Sequence, residues 1–335
     1  MTTMIELTND QLTIHCPEVH DEARVTIEFE RTLRIPDDGR DYPLPAGLGR
    51  FPLRHVDDFP RTVPARWIEH GGVMLPMYQA EALWIMFHSR YPFAIKVTAG
   101  KINAVTGEES RDGLHRDPQD YMVTSEQPWL DGYCVERGVI RQFVAMPLGS
   151  GYSAEEQITG QGTVGGLQIV AYPLKPEAYE RYIQTFRLMR AGKSFGLSEL
   201  SMVGAADMGL APGGRMKQEI YRDTFNLEDW DQRHRTRCFV HIANAQQWRA
   251  ITGEAPPTAP VTAAHYQSHG VPWFDYYAAD LQAVPGSGIL NRLKSLAHLA
   301  TDKGEPLADN DPITVERVTQ LRRGLRHSEV REGAF

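Results

Sequence analysis

Hydrophobic and polar positions alternate with period two over residues 23–35, where Val25, Ile27 and Phe29 are interleaved with Thr26, Glu28 and Glu30, so this stretch predicts a half-buried strand that ends at Pro36-Asp37-Asp38-Gly39. Similar runs predict a hairpin from 94–97 and 102–105 about an Ala99-Gly100 turn. A second hairpin joins 133–136 to 139–147 about Arg137-Gly138, and further strands fall at 167–172 and 237–242. A period near 3.6 predicts helices. Ala80, Leu83, Trp84 and Phe87 recur at i, i+3, i+4 and i+7 and place a core helix over 77–88, entered after Pro76. Others are expected at 176–190, with Pro176 in the first turn, and at 244–251, capped by Asn244.

The segment from Tyr42 to Arg66 carries Pro43, Pro45, Gly47, Gly49, Pro52, Pro60 and Pro64 and reads as a long ordered loop. Residues 107–120 read as a polar, mobile connection and 192–214 as a glycine-rich one. At the end of the chain Val318, Leu321 and Leu325 recur at spacings of three and four among Glu316, Arg317, Arg322, Arg323 and Arg326, which predicts a basic amphipathic helix over 313–327. These elements make the expected class α+β: an antiparallel sheet built from hairpins, with helices packed on it and long Gly/Pro-rich loops. The expected organisation is a globular body over 1–300 with a potential division near 192–214, a linker over 301–312, and a C-terminal helix and tail over 313–335.

The chain has 335 residues with 29 Gly and 22 Pro, which suits a turn-rich domain or two and speaks against a helical bundle. Lys plus Arg number 35 against 43 Asp plus Glu, a net charge of -8, so no nucleic acid is expected as a partner. Cys16, Cys134 and Cys238 are far apart and odd in number, which encodes neither a disulfide framework nor a cysteine-rich zinc site. Residues 1–10 hold Glu6 and Asp10 with no apolar run, and 71–88 carry Pro76, Gln79 and Glu81. The expectation is therefore no secretory leader, no membrane span and a cytoplasmic location.

Candidate chemistry is thin. Gly160, Gly162 and Gly165 stand in G-x-G-x-x-G spacing, but Glu155-Glu156 precede them and a strand follows, the wrong context for a dinucleotide site. His115-Arg116-Asp117 spells a kinase catalytic tripeptide without the rest of that set, and Gly192-Lys193-Ser194 lacks the first glycine of a phosphate loop. His15, Cys16 and His20 straddle Pro17 in a spacing that suits neither a helix face nor a strand face. His265 and His269 are cut short by Gly270 and Pro272. Neither a cofactor nor a metal is expected, and whether the chain is an enzyme stays open. His241 reads as a core histidine, and Asp117, Asp120, Glu155 and Glu156 as solvated loop acids with acid/base use as the alternative.

The aromatic run Trp273-Phe274-Asp275-Tyr276-Tyr277 together with the terminal apolar seam suggests self-association. The interface residues would be Trp273, Phe274, Tyr276, Val318, Leu321 and Leu325. The leading expectation is a homo-oligomeric assembly with a structural or scaffolding role. The alternative is a small-molecule enzyme whose site disperses over His115, Glu156 and His241, and a third option is a ligand- or peptide-binding module around Trp273.

Overall fold

The computed structural model describes residues 4–187, 207–278, 281–315 and 317–322. In chain order its strands are β1 (Met4–Thr8), β2 (Gln11–His15), β3 (Arg24–Thr32), β4 (Asp41–Tyr42), β5 (Leu44–Pro45), β6 (Gly47–Arg50), β7 (Arg54–His55), β8 (Val73–Pro76), β9 (Ala82–Ser89), β10 (Phe93–Ala99), β11 (Ile102–Asn103), β12 (Met122–Val123), β13 (Trp129–Leu130), β14 (Gly132–Glu136), β15 (Val139–Pro147), β16 (Leu167–Pro173), β17 (Met208–Lys217), β18 (Thr236–Ala243), β19 (Trp273–Tyr277) and β20 (Val318–Arg322). The helices are short: α1 (Ala65–His70), α2 (Ala154–Thr159), α3 (Pro176–Arg187), α4 (Ala245–Thr252), α5 (Ala263–Ser268), α6 (Gly288–Asn291) and α7 (Leu296–Asp302). The molecule is mixed, mainly antiparallel sheet with few helices. No helix among the described residues is long and apolar enough to cross a membrane.

One sheet runs β1-β2-β3-β9-β15-β17-β4 with β6, β13 and β14 paired onto it, and a second runs β11-β10-β16-β18-β8-β7 with β12 beside β10. Their inner faces share one apolar cluster. Val25, Ile27, Phe29, Leu83, Ile85 and Phe87 come from the first sheet, and Phe93, Ile95, Val97, Ile169, Val240 and Ile242 from the second. Burial of this face is the dominant stabilising contribution, at about 25 cal/mol per Å² of apolar surface removed from water. A small third sheet, β20-β19-β5, shares an apolar cluster with the first, in which Trp273 and Leu44 join Ile140 and Met216.

The hairpin over 133–147 forms as predicted, as do β3, β16 and β18, and the helices at 176 and 245 begin where Pro176 and Asn244 place them. The first hairpin is shorter than expected, with only Ile102 and Asn103 paired, on Ala99 and Thr98, while 94–97 pair with β16. The Asn244 side chain accepts from Gln247 N, capping α4.

Three expectations are corrected. Residues 77–88 are no helix: after a turn at 78–81 they enter β9, in which Leu83, Ile85 and Phe87 face the core and Trp84, Met86 and His88 are half-buried on the other side. The i, i+4 repeat coincides there with a period of two, and β9 is stabilised by an eight-residue register with β3, from Val25 opposite Ser89 to Thr32 opposite Ala82. Tertiary pairing overrides a weak local preference. In the tail, Val318–Arg322 forms β20, a strand parallel to β19 with Val318 opposite Trp273 and Leu321 opposite Tyr276; Leu325 lies outside the described residues. The third correction concerns 42–66 and the end of 192–214, of which 192–206 lie outside the described residues. Met208–Lys217 forms β17 against β15, and the proline-rich 42–66 is divided among β4 to β7, a 3-10 turn at Val56–Asp58 and the start of α1.

Candidate functional site

The residues singled out by sequence come to rest in structural roles. Glu155 is buried and its carboxylate accepts from Thr163 N and Oγ1 at 3.3 and 3.2 Å, Val164 N at 3.1 Å and Gly165 N at 2.9 Å. The amide nest that a phosphate would need is thus filled by the chain's own anion. Gly100 is required opposite it, because a Cβ there would sit 2.3 Å from Glu155 Oε2 on a backbone at φ +57. Glu156 closes a capping box with Ser153 at the start of α2. Both acids are engaged, contrary to the reading of them as solvated.

His115 and Asp120 do meet. His115 Nδ1 lies 2.9 Å from Asp120 Oδ2, which also pairs with Lys96 Nζ at 2.7 Å, and Asp120 Oδ1 accepts from His115 N at 2.9 Å. Lys96 is on the face of β10 turned away from the core, and it donates to Arg111 O at 3.0 Å and to Gly113 O. This buried cation therefore pins the 107–120 segment to the sheet, where a mobile connection was expected. Glu156 and His241 are not brought to this place. His241 stacks on Trp67 with ring centroids 4.6 Å apart, and its Nε2 lies 3.0 Å from Gly71 O. Burial holds its pKa down at about 4, so it is a neutral core histidine. His20 packs against Tyr91 and Tyr179, and His15 Nε2 lies 3.2 Å from Asp21 O. Cys16, Cys134 and Cys238 are buried. Among the described residues no group of three or more His, Cys, Asp or Glu converges in a way that could hold a metal ion.

The aromatic run is mostly interior. Trp273 is buried against Tyr266 and Tyr42, and Tyr276 packs 5.0 Å from Trp129, while Phe274 is half-buried. Val318, by contrast, is 43% exposed on the edge strand β20.

The feature with the geometry of a ligand site lies elsewhere, in a cavity of about 440 Å³. Ala82 and Met146 from β9 and β15 line it, with Leu296 and Ala300 of α7, the 260–263 entry to α5, Tyr152, Arg34 and residues 305–309. Residues 78–81 form a tight turn closed by Glu81 N on Tyr78 O at 3.2 Å, with Ala80 at φ +61. That left-handed conformation costs an alanine about 1–2 kcal/mol. It is held by bonds to β15 on either side, Ala80 N to Ala145 O at 2.8 Å and Ala145 N to Glu81 O at 2.9 Å.

The strained turn delivers Glu81 to the cavity wall. Its Oε2 accepts from Tyr78 N at 2.9 Å and its Oε1 is 3.4 Å from Arg31 Nε, with both side chains almost fully buried. Arg31 is anchored in turn on Leu48 O at 3.3 Å and Ala259 O at 2.8 Å. Burial pushes the Glu81 carboxyl up to about 7, against the opposing pull of Arg31 and the Tyr78 amide. Across the cavity Tyr152 donates to Glu305 Oε2 at 3.2 Å, and burial, then the Glu305 charge, hold its hydroxyl above the ordinary range. Glu30 and Asp131 are also raised to about 7 by burial, but neither belongs to this cavity.

Sequence reasoning did not find this site, although one signal was present. Arg31 continues the inward series Val25, Ile27, Phe29, and a charge at a core-facing position of a strand demands a buried partner. No protein-family model, curated protein or solved structure matches the chain, so its function rests on the geometry of these residues alone.

Proposed function

We propose that this chain binds a small molecule in the cavity bounded by Ala80, Glu81, Tyr152 and residues 305–309, and that Glu81 exchanges a proton with it. The supporting observation is the delivery of a deeply buried carboxyl to the wall of a 440 Å³ space by a turn strained at a non-glycine residue. Strain of this kind persists where the surrounding structure imposes it, and it gathers at functional sites. The volume lies in the range of small-molecule pockets, and an acid that titrates near neutrality is suited to donate and accept protons at working pH. The test is ligand-detected NMR of a metabolite library against the full chain and against Leu307→Trp, which fills the cavity from its rim, with Ala300→Phe as a second filling variant. Hits lost in both filled variants support the site. Hits that survive both, or none with the unaltered chain, refute it.

Self-association is a second reading, favoured by the edge strand β20, which pairs with β19 on one side, exposes Val318, and carries no strand on its other side among the described residues. An open strand edge is a template for another chain. Light scattering after gel filtration tests it. A discrete multiple of 37.7 kDa that survives dilution and dissociates on Val318→Lys supports a homo-oligomer, and a single-chain mass at all concentrations refutes it.

A further inference from the structure

Arg34 lines the cavity on the side of the 305–309 segment and is half-buried. Its Nη2 donates to Ala308 O and, at 3.3 Å, to Asp309 O, both neutral carbonyls, which fix the guanidinium plane. Its Nη1 is buried without a hydrogen-bond partner among the described residues, and none of their carboxylates lies within 4.0 Å of the guanidinium. Asp309 and then Asp37 are the acids whose charge acts on it, but neither carboxylate lies within 4.0 Å, and Asp37 is committed to Arg141 at 3.5 Å and to Ala297 N at 2.7 Å. A guanidinium withdrawn from water whose acids stay beyond ion-pair distance gains from a closer charge partner.

Resting on the small-molecule reading of the same cavity, we propose that the ligand is a small monocarboxylate with an apolar body, its carboxylate seated on Arg34. A charge-assisted pair between a guanidinium and a carboxylate is about twice as strong as a neutral hydrogen bond. The apolar body finds Met146, Leu296, Ala300, Leu307 and Val261. Arg34 is the one cationic side chain among the described lining residues, whereas Glu81, Glu305 and Asp309 line the same space. A second negative charge on the ligand would meet these acids, so the geometry selects monoanions over dicarboxylates and oligophosphates.

Calorimetric titration with hexanoate and 3-phenylpropanoate, their matched primary amides, hexylamine and adipate tests this. The monocarboxylates should bind at least tenfold more tightly than the amides, the amine and adipate. Arg34→Gln should remove the preference of acid over amide, and Arg34→Lys should keep part of it, with circular dichroism confirming that both variants fold. Equal binding of acid and amide, lost in Leu307→Trp, overturns the carboxylate class and leaves the cavity reading standing. Carboxylate binding unaffected by Arg34→Gln or by Leu307→Trp overturns the inference by placing the ligand elsewhere. Preference for hexylamine or adipate overturns it too, and so does the absence of any binding; if the metabolite library then also gives no hits, the cavity reading falls with it.

Discussion

Replacing Glu81 with glutamine should make the protein gain on the parent as pH rises. Arg31 lies 3.4 Å from the Glu81 carboxylate, an attraction of about 5 kcal/mol at an effective dielectric constant of about 20. The carboxyl is nevertheless raised from 4.5 to about 7, so loss of hydration outweighs that attraction. Below pH 4.5 the group is protonated folded and unfolded alike. Between 4.5 and 7 the folded chain holds a proton that the unfolded chain releases, and its stability falls with rising pH. Above 7 the loss is complete and amounts to about 3 kcal/mol, at about 1.4 kcal/mol per tenfold difference in proton affinity. A glutamine side chain resembles the protonated acid in shape and does not titrate. Urea unfolding of both proteins from pH 4.5 to 8.5 should therefore give a difference near zero at the acid end that grows by about 3 kcal/mol in favour of Glu81→Gln. Other titrating groups, Glu30 and Asp131 among them, cancel in that difference. A flat difference, or one in which the glutamine variant loses ground above pH 7, would show that the ion pair with Arg31 prevails and would remove the argument that Glu81 is a poised acid.

Relief of the left-handed backbone predicts that Ala80→Gly stabilises the fold by about 1 kcal/mol, the strain released less the chain entropy of glycine; a lower urea midpoint would mean that the turn is unstrained. Asp120→Asn leaves Lys96 buried without its counter-charge and should cost about 3–5 kcal/mol, while Asp120→Leu with Lys96→Met should recover much of that in a double-mutant cycle. Trp273→Ala should lower monomer stability by about 3–5 kcal/mol, because Trp273 packs inside its own chain against Tyr266 and Tyr42; a loss confined to assembly, at unchanged unfolding midpoint, would return it to an interface role. Glu155→Gln should cost about 2 kcal/mol by weakening bonds to the amides of 163–165, read from thermal unfolding.

The sequence by itself determined the strands whose alternation has one interpretation. β3, β10, β15, β16 and β18 each place branched or aromatic residues against a core and end at turn residues, and Pro176 and Asn244 mark two helix starts, because these signals are local. The stretch 82–89 fitted both periods, and only its ladder with β3 decided for a strand. The short tail seam was settled in the same way, since Val318–Arg322 pairs with β19 in the folded chain. The candidate site was the least legible part. Arg31 on an inward strand position announced a buried charge, yet its partners are at Leu48, Glu81 and Ala259, and Arg34 meets Ala308. Nothing in the residues around 79–81 states that Ala80 adopts a conformation usually left to glycine, because bonds to Ala145 across the sheet impose it. Local pattern sets which segments are strands and which faces are apolar. The cavity, its buried acid and its half-buried guanidinium arise from contacts between segments distant in sequence, and these exist only once the sheets have packed.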